Sequence, residues 1–148
     1  MTDTEVTRMT GENKALCRRL VDCFNARQLD EAAALHAPFY VYQGPGMEFR
    51  GPEGWRQLVA MYLNAFPDLI LHIDDIIAEG DKVALRFTAK GTHRGELAGI
   101  NATGRPVTVP CITVMRLANG KIIEEYEVFD NLGMFQSIGR MPDVTATV

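Results

Sequence analysis

The chain has 148 residues, 47% of them hydrophobic, and a net charge of −4 from 15 Lys+Arg against 19 Asp+Glu. That is the size and balance of one soluble globular domain, long enough to bury roughly 70% of its unfolded surface without a metal or disulfide. The acidic balance, with no basic cluster, argues against a nucleic-acid surface, and no apolar run approaches the ~20 residues that span a bilayer.

The opening "MTDTEVTRMTGENK" has neither a basic nor an apolar signal region. Cys17, Cys23 and Cys111 are odd in number and lack C-x-x-C spacing. They read as small core residues in a reducing compartment, which gives the expectation of a cytoplasmic protein. Residues 1–10 read as a flexible arm, 11–140 as a single domain and 141–148 as a tail.

In chain order, a helix is predicted over Asn13–Arg27, with Leu16, Leu20, Cys23 and Phe24 at helical spacing. A short helix over Asp30–His36 follows, capped by Asp30 and stopped by Pro38, with His36 as a favourable partner for its dipole. "FYVYQGPG" reads as a brief strand running into a loop. The third helix is the clearest element. Pro52 suits its first turn, and Trp55, Leu58, Val59, Tyr62 and Phe66 recur at i, i+3, i+4, i+7 and i+11 until Pro67 ends it.

The hydrophobic period then changes to two. "LILHIDDIIA" and Val83–Thr92 form a pair around "EGDK". The Gly-rich "HRGELAGINATGRP" leads to a strand over Val107–Leu117, and Asn119-Gly120 returns the chain as a hairpin. "LGMFQSIG" closes the domain as a one-turn helix. Helices followed by a run of strands specify an α+β architecture, with a curved sheet closing over the third helix as a cone.

The final strand, "GKIIEEYEVFDNLG", carries Glu124, Glu125, Glu127 and Asp130, although acidic residues are poor strand formers. Strict alternation places Ile123, Glu125, Glu127 and Phe129 on one face. Glu124 and Glu125, near the hairpin, are expected to reach water, whereas Glu127 lies deeper. One reading of Glu127 is a solvated glutamate or an ion pair with Arg86 or Arg116. The other is a carboxyl in an apolar pocket, where burial raises its pKa toward neutrality and fits it for proton transfer. On the preceding strand, Thr113 is the only good hydrogen-bonding side chain among Val107, Val109, Cys111, Met115 and Leu117. The opposite row, Thr108 to Arg116, is also partly apolar, as for a face that meets a partner subunit.

"NKALCRRLVDCFNARQLDEAAALHAPFYV", "FRGPEGWRQLVAMYLNAFPDLILHIDDIIAEGDKVALRFTAKGTHRGELAGINATGRPV" and "MRLANGKIIEEYEVFDNLGMFQSIG" together resemble the SnoaL-like polyketide cyclases of the nuclear transport factor 2-like superfamily. The resemblance implies a cone of N-terminal helices packed in a curved mixed or antiparallel sheet, assembled as a homodimer or homotetramer, with a pocket at the wide mouth. It further implies an intramolecular aldol closure of a hydrophobic polyketide-derived compound, with no metal or organic cofactor. An acid on the last strand serves as general acid/base and aligns with Glu127. Asp130 matches a second acidic position and His93 matches the family's "GTHRGEL". Thr113 stands where relatives often carry His, and Tyr42 or Gln43 where they carry Asn or His.

Together these give Glu127, Asp130 and His93 as candidate catalytic residues. Tyr42, Gln43, Trp55, Tyr62, Phe66, Thr113, Met115 and Phe129 are the candidate substrate contacts, with Met61 and Met134 as further apolar wall. Rival readings are epoxide opening, isomerisation or dehydration in the same pocket, or a dimeric binding module without chemistry. Scattered His36, His72 and His93 lack metal-ligand spacing.

Overall fold

In a computed structural model, which describes residues 1–139, four helices pack into the hollow of one six-stranded sheet. The elements run α1 (Asp3–Asn25), α2 (Leu29–Ala33), β1 (His36–Gly44), β2 (Met47–Arg50), α3 (Gly51–Ala65), β3 (Ile70–Glu79), β4 (Lys82–Thr92), β5 (Pro106–Ala118), β6 (Lys121–Phe129) and α4 (Asn131–Ser137). The strand order is β2-β1-β6-β5-β4-β3. Only β1 and β6 pair in parallel; every other neighbour is antiparallel. The expected α+β cone is therefore the observed one, and the last nine positions, including the tail expected at 141–148, lie outside the described residues.

Three expectations change. Residues 1–10 are not an arm: α1 starts at Asp3, because Thr2 accepts a hydrogen bond from the Glu5 amide and the Glu5 side chain accepts one from the Thr2 amide. This reciprocal cap satisfies two otherwise orphaned donors. The second helix begins one residue early and ends at Ala33, without a side-chain cap from Asp30. His36 opens β1 instead, buried, with its Nδ1 donating to the carbonyls of Ala32 at 3.0 Å and Ala33 at 3.3 Å. Burial pushes its pKa down to about 4, so it caps α2 as a neutral ring. Finally, β1 does not dissolve into a loop; it turns at Pro45-Gly46 and pairs with β2, which is too short to show a period.

The helices close one side of the cone. α1 packs on β3 and β4, and α3 packs on β1 and β2. The buried stripe on α3, Trp55, Leu58 and Val59, joins Leu20 and Phe24 of α1 in one continuous core with the inner rows of β4 and β5. The outer row of β5 and β6 leaves Ile112, Tyr126 and Val128 exposed, on the face for which a partner subunit is expected from the sequence.

At its free edge, β3 is held by a side chain. Asn25, the last residue of α1, donates Nδ2 to the Leu71 carbonyl at 2.8 Å and accepts from the Leu71 amide at 2.9 Å. It thus completes an edge that lacks a further strand. Replacing Asn25 with Ala strands both backbone groups, so a loss of about 1–3 kcal/mol is expected from chemical denaturation.

Candidate active site

The hollow of the cone is a mostly apolar cavity, with about 1000 Å³ of empty space counting its open mouth. α1 contributes Leu20, Val21 and Phe24; α3 contributes Trp55, Leu58, Val59 and Tyr62; α4 contributes Met134. The sheet supplies the rest, including Phe87, Val109, Cys111 and Met115. Two carboxyl side chains enter this lining, Glu125 and Glu127, and no Lys, Arg or His among the described residues does.

A β-bulge lets Ile122 and both glutamates face inward together. Arg116 of β5 pairs with Glu124, but Leu117 pairs with Ile122, so Ile123 has no partner. The extra residue resets the alternation: Ile122, fully buried, and Glu125 both face the core. The expectation that Ile123 shares the inner face is overturned for this reason, since strict alternation cannot anticipate a bulge; Glu125, expected to reach water near the hairpin, is buried on the face it shares with Glu127. Glu124 instead faces outward, where Arg116 donates to it at 3.1 Å. Arg86 pairs with Asp75 at 3.3 Å. Neither arginine reaches Glu127.

Two tyrosines of β1 meet the two glutamates of β6. Tyr40 donates its hydroxyl to Glu125 Oε1 at 2.7 Å, and Tyr42 donates to Glu127 Oε1 at 2.5 Å. Thr113 of β5 donates to Glu125 Oε2 at 2.7 Å. Tyr42 reaches its partner because Gly44, the next inward position on β1, has no side chain. A Cβ there would collide with the phenol ring.

Burial drives the Glu125 carboxyl upward from its ordinary value of 4.5, against the pull of the Tyr40 and Thr113 hydrogen bonds. The Glu127 carboxyl is pushed up to about 8, first by burial and then by the nearby Glu125 charge, with the Tyr42 hydrogen bond opposing. Tyr40 and Tyr42 are raised by burial and by these carboxylates, so both remain protonated donors. The thiol of Cys111 is pushed up to about 12 by the same apolar surroundings and is inert as a nucleophile.

The structure brings Glu127, Tyr42, Trp55 and Tyr62 to one cavity, with Phe66, Thr113, Met115 and Phe129 beside them. Three sequence candidates are placed elsewhere. Asp130 is exposed and caps α4, accepting from the Gly133 amide at 2.9 Å; the strand ends before it could turn inward. Gln43 is exposed because it alternates with Tyr42. His93 is fully buried, but outside the cavity wall. Its Nδ1 accepts from the Thr103 amide at 3.2 Å and ties the 93–105 loop together. Met61 also lies outside the lining, whereas Met134 belongs to it.

Sequence reasoning missed Tyr40 and Glu125. A signal was present: "YVY" and "EYE" each place two polar groups at a spacing of two, which aims both pairs at one face. No group of three or more His, Cys, Asp or Glu among the described residues is arranged to hold a metal ion. No helix among them is long and apolar enough to cross a membrane.

An α+β cone with a deep apolar cavity and paired carboxyls on its last strand defines a class suited to acid/base chemistry on apolar small molecules. The sequence model of the SnoaL-like polyketide cyclases matches residues 14–138, and the chain belongs to that family. It is 31% identical over 131 residues to aklanonic acid methyl ester cyclase DauD of Streptomyces sp. (strain C5), covering 84% of this chain and 80% of that protein. Against DnrD of Streptomyces peucetius, which carries the same activity name, it is 32% identical over 132 residues, covering 84% and 88%. Among solved structures, AclR of Streptomyces galilaeus, for which hydroxylation is the suggested activity, superposes with a TM-score of 0.81 at 32% identity, covering 90% of this chain and 99% of that one. IdmH of Streptomyces antibioticus, with polyketide cyclisation suggested, gives 0.76 at 31% identity, covering 86% and 98%.

The raised carboxyls have a consequence for stability. Folded Glu125 and Glu127 both hold their protons to higher pH than unfolded glutamates, which release them near 4.5. Between that value and about 8 the native state binds more protons, so its stability falls as pH rises through this window. The thermal midpoint of the wild-type protein is expected to drop from pH 5 to pH 9, and Glu127→Gln to flatten that slope. A slope of the opposite sign would contradict the burial described here.

Proposed function

We propose that this chain catalyses a cofactor-independent intramolecular aldol closure of a neutral, hydrophobic polyketide-derived compound, with Glu127 as the proton carrier. One observation carries the reading: Glu127 faces an apolar cavity that no cation among the described residues enters, and burial there pushes its carboxyl up to about 8. A carboxylate in that state is a far stronger base than a solvated one, and it operates close to neutral pH, where proton transfer is most effective.

In its ionised form, Glu127 removes the proton from a carbon flanked by two carbonyls. The electron pair left on that carbon forms a new carbon–carbon bond to a second carbonyl of the same molecule, whose oxygen becomes an alkoxide. Glu127, now protonated, returns the proton to that oxygen, so the step is a net isomerisation. Tyr42 holds Glu127 in place throughout. The apolar walls fold the flexible substrate so that the two reacting carbons meet, which supplies much of the acceleration. Asp130, on the outside of the cone, has no part in the cycle.

Family membership and the two aklanonic acid methyl ester cyclases among its relatives support ring closure over epoxide opening or dehydration. The cavity supports an ester-capped substrate over a free acid, because a substrate carboxylate would meet two glutamates and, among the described residues, no counter-charge. With a poly-β-keto ester related to those substrates, Glu127→Gln is expected to reduce kcat by about 10²–10⁴ while the fold is retained. An unaltered kcat removes Glu127 from the reaction. The corresponding free acid is expected to show a KM at least about tenfold above that of its methyl ester, measured by the same assay.

A further inference from the structure

Glu125 has no direct part in that cycle, yet it occupies the most constrained position in the cavity wall. Both of its oxygens are engaged, Oε1 by Tyr40 and Oε2 by Thr113, each at 2.7 Å. Glu127 receives one hydroxyl, from Tyr42. The two carboxyls stand two residues apart on one face of β6, about 7 Å along the strand.

The groups facing the pair come from four elements. They are Tyr40 and Tyr42 of β1, Tyr62 of α3, Cys17 of α1, and Cys111 and Thr113 of β5. All are uncharged near neutral pH, so among the described residues only hydroxyl donors compensate a negative charge here. Two carboxyls so close, in one apolar space, do not both ionise readily.

We propose that Glu125 is a positioning residue for Glu127: the pair holds one negative charge at neutral pH, seated on Glu125 by Tyr40 and Thr113, and that fixed charge makes Glu127 the stronger base. The hydrogen-bond geometry favours this seat. Thr113 Oγ1 lies 2.7 Å from Glu125 Oε2 but 3.2 Å from the Tyr126 carbonyl. Its single proton is thus directed at the carboxylate. A protonated Glu125 would need Thr113 to accept and to turn its own proton to the more distant carbonyl. Charge on Glu125 therefore has two short donors, and the proton of the pair stays with Glu127, which has one.

This inference rests on the acid/base role of Glu127 given above, but its test does not need turnover. Ligand-free protein labelled with [13Cδ]glutamate is titrated by NMR as wild type, Glu125→Gln and Glu127→Gln, the two variants also assigning the signals. Removing the Glu125 charge is expected to lower the Glu127 midpoint by about one to two pH units, the size of a like-charge interaction at this separation. Thr113→Val preserves side-chain volume and removes one donor to Glu125. It is expected to move the proton toward Glu125 and to lower the Glu127 midpoint in the same direction. A merely structural role for Glu125 would leave that midpoint in place, and an unmoved midpoint in whichever of these two variants folds overturns the proposal. In turnover, the rising limb of the pH profile should shift to lower pH by the same amount, and the plateau should drop a few-fold. Normal coupling in the titration with no cyclisation of any keto ester would refute the proposed function and leave the paired charge standing.

Discussion

A carboxyl group moved from water into an apolar cavity loses several kcal/mol of solvation unless other polar groups replace the water. Among the described residues the replacement comes from hydroxyls: two for Glu125, one for Glu127, and a cation for neither. Hydroxyls hold a carboxylate without neutralising it. The site can therefore keep a proton that an arginine would have driven off, and the cavity can be both apolar and chemically active. Much of the sheet architecture serves this balance. The parallel pairing of β1 with β6 sets two tyrosines against two glutamates, and β5 delivers the threonine from the other side.

The helices contribute differently. α1, α3 and α4 bring almost entirely apolar side chains to the cavity, with the hydroxyl of Tyr62 as a polar tip. Together they enclose the space and give it its shape, while the sheet carries the carboxyls and the hydroxyls that hold them. Apolar walls of this kind tolerate many substitutions of similar volume, whereas a buried carboxyl needs its donors in register.

Much of this was legible in the sequence. The i, i+3, i+4 pattern from Trp55 to Phe66, the change to a period of two after Pro67, and Asn119-Gly120 specify α3 and the antiparallel strands, because each signal is local. Glu127 was legible too, from its place among Val128, Phe129 and Tyr126. What escaped was nonlocal. β2 is a four-residue strand that exists only because β1 offers an edge. The inward turn of Ile122 in place of Ile123 depends on a bulge defined by the pairing of β6 with β5, which no pattern within β6 reveals. Asp130 and His93 matched family positions, but a family match conveys alignment rather than direction. One faces water at a helix start, and the other is sealed inside a loop.

The unpaired Ile123 has a wider significance for how such a pocket wall is built. Because side chains alternate along a strand, regular pairing of every residue of β6 would set Ile122 and Glu125, three apart, on opposite faces. The bulge takes up the odd residue, so that an isoleucine at the hairpin end and two acids further along share one wall: a frameshift in space, corrected within the strand.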